Sequence, residues 1–248
     1  MKEIDWANLS FGYMKTDYNV RINFRNGAWG ELEVSSEEHL NLHMAATCLH
    51  YGQEAFEGLK AFRGKDGKVR IFRLEENAAR LQSTCQGILM AELPTERFKE
   101  AILKVVKLNE RFIPPYETGA SLYIRPLLIG TSAQVGVHPA DEYMFVVFVT
   151  PVGPYFKGGF STNPYVIIRE FDRAAPHGTG IYKVGGNYAA SLLTRKHTIW
   201  VIPASSILMR KKRNISMNVV LPISSVLRII RISLRNHLLS CLLLPIRV

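Results

Sequence analysis

At 248 residues and 28.0 kDa, with 47% hydrophobic residues, the chain is long enough for one large domain or two modest ones with a proper core. The polar start from Met1 to Ser10 does not read as a signal peptide, and no stretch reaches the roughly 18 apolar residues of a membrane span. Three widely spaced cysteines, Cys48, Cys85 and Cys241, read as buried thiols of a cytosolic protein rather than a disulfide framework or a metal site.

The net charge of +10 raises the question of nucleic acid, and its distribution answers it. Residues 197–248 hold Lys211, Lys212 and six arginines with no acid, which leaves 23 basic and 21 acidic residues in 1–196. The body is close to neutral, and the basicity belongs to the tail.

Residues 1–35 read as short strands and loops. From Leu40 to Phe56 the apolar spacing predicts a helix. Leu59–Arg63 and Lys68–Leu74 flank Gly64-Lys65-Asp66-Gly67 and predict a hairpin; this turn lacks the spacing of a phosphate loop. Glu75–Met90 reads as a helix with acids in its first turn, where they favour the helix dipole. In Thr95–Phe112 the residues Phe98, Ala101, Ile102 and Val105 fall on one helical face, and Pro114-Pro115 stops it. Ser121–Thr131 and Glu142–Val152 are rich in β-branched and aromatic residues and predict buried strands.

This alternation predicts a mixed α/β (α+β) protein of two domains with a cleft between them. The first would span 1–152, an interdomain linker 153–163, and the start of the second domain 164–196, beginning with a strand over Pro164–Glu170.

The chain is organised around Ile181-Tyr182-Lys183-Val184-Gly185-Gly186-Asn187-Tyr188, where a turn-rich run leads to a lysine, a glycine pair and a helix start. On spacing alone, a solvated lysine beside a loop is the ordinary reading. The run Lys183–Tyr188 resembles the cofactor-lysine segment of branched-chain amino acid aminotransferases, fold type IV pyridoxal-phosphate enzymes. Four more segments agree in the same order: Phe11-Gly12 with Thr16-Asp17, Tyr51 to Phe62 (YGQEAFEGLKAF), Leu122-Tyr123-Ile124-Arg125-Pro126, and Pro151-Val152-Gly153-Pro154-Tyr155. The resemblance covers about residues 5–196 and then stops.

It implies a transaminase that moves the amino group of leucine, isoleucine or valine to 2-oxoglutarate by ping-pong chemistry on pyridoxal 5'-phosphate, in a cytoplasmic homodimer. Lys183 would form the Schiff base with the cofactor and then act as general base. Arg80 matches the phosphate arginine, its planar fork suited to a bidentate grip, and Tyr188 matches the partner of the ring oxygen. Phe11, Tyr51, Phe56 and Tyr123 match aromatic residues lining the branched side-chain pocket, where apolar walls and shape must select. Arg125 matches an arginine on the substrate side, suited to the carboxylate of glutamate or 2-oxoglutarate. Lys60 reads as structural. Such a cofactor also needs an acid opposite its pyridine nitrogen, which the family places downstream of the lysine in a segment resembling Asp-Glu-Cys-Gly. Here the last acidic residue is Asp172.

Residues 197–248 show no defensible helical or strand period, and their composition changes abruptly. Read one frame away, the Trp200/Val201 junction must encode Gly and the Met217/Asn218 junction Glu, and the neighbouring junctions permit Leu-Gly-Tyr-Pro and Asp-Glu-Cys-Gly. Both strings resemble the family's continuation. The expectation is a frameshift near residues 193–198, an out-of-frame tail over 197–248, an incomplete second domain, and little transaminase activity in the chain as written. Two rivals stand beside this. Other fold type IV enzymes, such as D-amino acid aminotransferases and aminodeoxychorismate lyases, fit YGQEAFEGLKAF and KVGGNYAAS less well. A non-enzymatic relic whose basic tail binds nucleic acid or anionic lipid is disfavoured because the tail has Trp200 as its one aromatic and no recognisable fold.

Overall fold

The structure is a computed structural model that describes residues 4–154, 175, 177–189, 206–211 and 214–219. Its first hairpin joins β1 (Asn19–Arg25) to β2 (Ala28–Ser35). The connecting Asn26 and Gly27 both have positive φ, 52° and 77°, the mirror-turn geometry whose twist matches the strands. Inward residues of β1, Val20 and Ile22, are fully buried.

The helix predicted over Leu40–Phe56 is confined to α1 (Thr47–His50), and β3 (Glu54–Phe56) follows directly. A non-local interaction overrides the local period: residues 54–56 pair antiparallel with 127–129 of a later strand. The predicted hairpin is present as β4 (Leu59–Arg63) and β5 (Val69–Ile71). Helix α2 (Leu74–Gly87) carries Glu75 and Glu76 in its first turn, and α3 (Thr95–Leu108) buries the predicted stripe of Phe98, Ala101, Ile102 and Val105. α3 ends before Phe112 because Asn109 turns its buried side chain back on the chain: Nδ2 donates to the Val105 and Tyr18 carbonyls, and Oδ1 accepts from the Asp17 and Tyr18 amides.

Two ten-residue strands, β6 (Ser121–Gly130) and β7 (Tyr143–Val152), pair along their whole length and form the middle of a seven-stranded sheet. The order is β2-β1-β7-β6-β4-β5, with β3 also on β6, and every pairing is antiparallel. The fold thus lies on the α+β side of the expected mixed class. α2 and α3 cover one face; the Phe98 and Phe145 rings sit 5.8 Å apart between α3 and β7, inside one apolar core. Burying a side chain of that size contributes about 1.5–3 kcal/mol.

Pro126 lies inside β6, a position that costs a ladder hydrogen bond in a continuous sheet. Here it falls where β6 exchanges one neighbour for another, β3 opposite 127–129 and β4 opposite 122–124. The Glu57 amide donates to the Pro126 carbonyl at 2.9 Å across that break. Residues Glu57 and Gly58 are therefore released from regular pairing at the point where the site is built.

Of the expected linker only Gly153 and Pro154 are described, and the strand expected over Pro164–Glu170 lies outside the described residues. The small residues after the glycine pair do open a helix, α4 (Gly186–Ala189). The tail departs from expectation. Its backbone forms an antiparallel pair, β8 (Ser206–Lys211) with β9 (Asn214–Val219), Ser206 opposite Val219 and Lys211 opposite Asn214. Both strands are rich in Ile, Leu, Met and Val, enough to favour pairing without a clean alternation. Among the described residues no helix is long and apolar enough to cross a membrane.

Candidate active site

Lys183 is held by its backbone before its side chain does anything. Its amide donates to Thr84 Oγ1 on α2 at 3.1 Å, and its carbonyl accepts from the Phe56 amide at 3.1 Å. Thr84 is buried, so this donor and acceptor satisfy each other away from water. Two residues on, Gly185 passes so close to the Glu54 carboxylate that an added Cβ would collide with it. The Asn187 side chain closes the loop from the other side, donating to the Thr179 and Tyr182 carbonyls at 2.8 Å each.

The Lys183 ammonium then has a defined setting. Nζ donates to the Tyr188 hydroxyl at 2.7 Å and lies 4.1 Å from the Phe56 ring centroid and 4.9 Å from that of Tyr188. The two rings are 5.3 Å apart. Aromatic faces attract a cation at these distances, so this lysine is not the freely solvated side chain that spacing alone would suggest.

From Phe56 the cluster continues. The Arg125 guanidinium lies 4.8 Å from the Phe56 centroid and donates to the Tyr123 hydroxyl through Nε at 3.2 Å and Nη2 at 2.9 Å. Tyr123 in turn meets Phe11 edge to face at 5.3 Å. The Tyr123 ring end approaches Gly58 so closely that any side chain there would strike it. Phe56, Glu57 and Gly58 thus serve three different neighbours in three consecutive residues.

Glu57 is a residue that sequence reasoning missed. Its fully buried carboxylate receives Arg80 Nε and Nη2 at 2.7 Å each and Asn77 Nδ2 at 2.8 Å. This ion pair holds the Arg80 guanidinium above its ordinary range, with a smaller contribution from Tyr188. The pair also narrows how Arg80 could take a phosphate. The Nε/Nη2 edge is already engaged by Glu57, and only the end formed by Nη1 and the second Nη2 proton remains for an anion. The signal was present, since Asn77 and Arg80 lie three residues apart on α2 and share a face. The partner across the sheet break could not be read from it.

Glu54, also missed, is half-buried; burial pushes its carboxyl up, opposed by the Gly185 amide and the Arg125 charge. Burial pushes the Lys60 ammonium down. Tyr51 is held by partners outside this cluster: its hydroxyl donates to the Val135 carbonyl, and its ring lies 6.2 Å from His50.

The donor set suits a phosphorylated aldehyde cofactor in three respects: an amine, an arginine with one end open, and a tyrosine hydroxyl beside the amine. An acid for a ring nitrogen is not found in this set. Glu57 is bound to Arg80, Glu54 to Gly185, and no Asp or Glu follows Asp172. Among the described residues no cluster of metal-ligating side chains occurs.

The family model for class IV aminotransferases (Amino-transferase class IV) matches residues 54–215, running past residue 196, where the resemblance was expected to stop. The branched-chain-amino-acid aminotransferase of Haemophilus influenzae is 50% identical over 193 residues, 78% of this chain and 56% of that protein. That of Helicobacter pylori is 50% identical over 197 residues, 79% of this chain and 58% of that one. The chain therefore spans less than two thirds of these curated relatives. Among solved structures, the Escherichia coli branched-chain aminotransferase aligns at a TM-score of 0.58 and 24% identity, covering 78% of this chain and 60% of that one, a likeness of fold. The T.th. branched-chain aminotransferase complexed with N-(5'-phosphopyridoxyl)-L-glutamate aligns at 0.55 and 25%, covering 79% and 59%. With the family's model matched over residues 54–215, more than half of the chain, and with a fold type IV sheet beneath the lysine, the chain belongs to the class IV aminotransferases.

Proposed function

We propose that the chain derives from a branched-chain amino acid aminotransferase that passes the amino group of leucine, isoleucine or valine to 2-oxoglutarate with pyridoxal 5'-phosphate. The observation that carries this reading is the setting of Lys183, its Nζ 2.7 Å from the Tyr188 hydroxyl and 4.1 Å from the Phe56 ring centre. The 50% identity to branched-chain enzymes supports the substrate class.

Bound there, the cofactor would supply an electron sink for the carbanion formed at the substrate's Cα. Lys183 would hold the cofactor, and its freed amine would take and return the Cα proton at Nζ. The open end of Arg80 would bind the phosphate, and Tyr188 would hold the ring oxygen. Phe11, Phe56 and Tyr123 would wall the side-chain pocket, selecting by shape and exclusion of water, with Tyr51 at its margin. Arg125, its donors now on Tyr123, would turn to the carboxylate of glutamate or 2-oxoglutarate. The family's usual setting, a cytoplasmic homodimer with small-molecule substrates and neither nucleic acid nor membrane as partner, completes the reading.

The domain boundaries, 1–152, 153–163, 164–196 and a tail over 197–248, belong to the same proposal, as does the shifted frame of that tail. The test is a pair of assays. A gene with its frame restored near codons 193–198 should yield a protein that transfers amino groups from leucine, isoleucine and valine to 2-oxoglutarate, and Lys183→Ala should abolish this. The chain as written should show little or no turnover. A restored protein that prefers D-alanine to leucine would place it with the D-amino acid enzymes instead.

A further inference from the structure

Glu57 is the one charged side chain that is fully buried among the described residues. A buried charge demands partners, and Glu57 has three hydrogen bonds, two from Arg80 and one from Asn77. Stability alone is a poor reason for such a pair, because well-packed apolar residues often do as well. The asymmetry of the pair points elsewhere. Glu57 is wholly enclosed, while the Arg80 side chain is 41% exposed, so one end of the guanidinium is anchored and the other is presented.

We infer that Glu57 is a positioning residue that fixes the direction of Arg80, so that Nη1 and the free Nη2 proton meet the phosphate of the cofactor. This rests on the reading of Arg80 as the phosphate arginine. An unanchored arginine has several rotatable bonds whose freedom is lost on binding an anion. Two parallel hydrogen bonds to a rigid, buried carboxylate remove that freedom beforehand. Asn77, three residues before Arg80 on α2, donates to Glu57 Oε2, the oxygen that also accepts from Arg80 Nη2. Glu57 is itself pinned by its amide to Pro126 at the break between β3 and β4. The direction of Arg80 is thus set by the sheet as well as by its own helix.

The test is capture at Lys183. The full chain is incubated with pyridoxal 5'-phosphate or with pyridoxal, which lacks the phosphate, and reduced with cyanoborohydride; labelling of Lys183 is read by peptide mass spectrometry. The expected result is a clear preference for the phosphorylated compound. Glu57→Gln, which removes the charge, and Glu57→Asp, which keeps it but shortens the reach, should each lower that preference about tenfold, the worth of one charge-assisted hydrogen bond. Pyridoxal labelling should stay within about twofold. A fall in both labels together would mean a merely structural role and would overturn the inference. So would an unchanged preference, or a rise in Glu57→Gln, which would make Glu57 only a counter-charge. Arg80→Gln separates the two ideas: if it leaves the preference intact, or if the unaltered chain shows none, the phosphate reading of Arg80 fails and the inference with it.

Discussion

The amide of Phe56 donates to the carbonyl of Lys183 at 3.1 Å, which ties the end of β3 to a lysine far along the chain. The same residue places its ring 4.1 Å from the Lys183 Nζ. One amino acid therefore fixes both the main chain and the side-chain surroundings of the lysine, and the Thr84 hydroxyl fixes the other side of its peptide.

That clamp predicts the effect of removing Thr84 Oγ1. Thr84→Val keeps the shape but leaves the Lys183 amide without its acceptor, a loss of about 1–3 kcal/mol for a buried group. Hydrogen exchange at the Lys183 amide should quicken by about tenfold or more, while α3 amides keep their protection. Unchanged exchange at Lys183 would show that the clamp does not hold the segment.

Asn109 predicts a stability effect remote from the site. Its buried amide group makes four hydrogen bonds, three to Asp17 and Tyr18 in the chain before β1 and one back to Val105 within α3. Asn109→Ala strands these partners and should cost about 3 kcal/mol, visible as a lower denaturation midpoint. A loss under about 0.5 kcal/mol, the range of ordinary surface changes, would contradict the account.

Glu54 predicts a pH dependence. Burial raises its carboxyl above 4.5 in the folded chain, so the fold favours the protonated form. Its contribution to stability is then full below the unfolded value near 4.5 and is lost as pH rises through the raised folded value. The stability of the unaltered chain relative to Glu54→Gln should fall as pH climbs from 4.5 toward neutrality. Denaturant midpoints for the two chains at several pH values check this. A difference that stays flat or grows would reverse the sign.

The tail predicts a result in the DNA. Resequencing from codon 185 to well past codon 248 should show a one-base or two-base discrepancy near codons 193–198 that restores Gly-Tyr-Pro and Asp-Glu-Cys-Gly. A clean reading of the present frame would sink the frameshift and leave the chain without an acid downstream of its lysine.

Where structure depends on neighbours in the chain, the residues alone determined it. The turn Gly64–Gly67, the four-residue stripe of α3 and the two long strands β6 and β7 were legible because turn chemistry and period act within a few residues. The resemblance in KVGGNY likewise picked out Lys183 and Tyr188, five residues apart and therefore on one short stretch of backbone. The tertiary structure decided what depends on chain segments far apart. The residues around Leu40–Phe56 have a helical period, yet pairing with β6 draws 54–56 into a strand. The resemblance grouped Tyr51 with Phe11, Phe56 and Tyr123, but that its hydroxyl meets the carbonyl of Val135, 84 residues later, could not be read from spacing. The resemblance marked Arg80 as the phosphate arginine, but nothing in its spacing pointed to the partner it meets, Glu57, 23 residues earlier and released from regular pairing where β6 passes from β3 to β4. A buried carboxylate must find its cation in space, and spacing along the chain carries no record of where that will be.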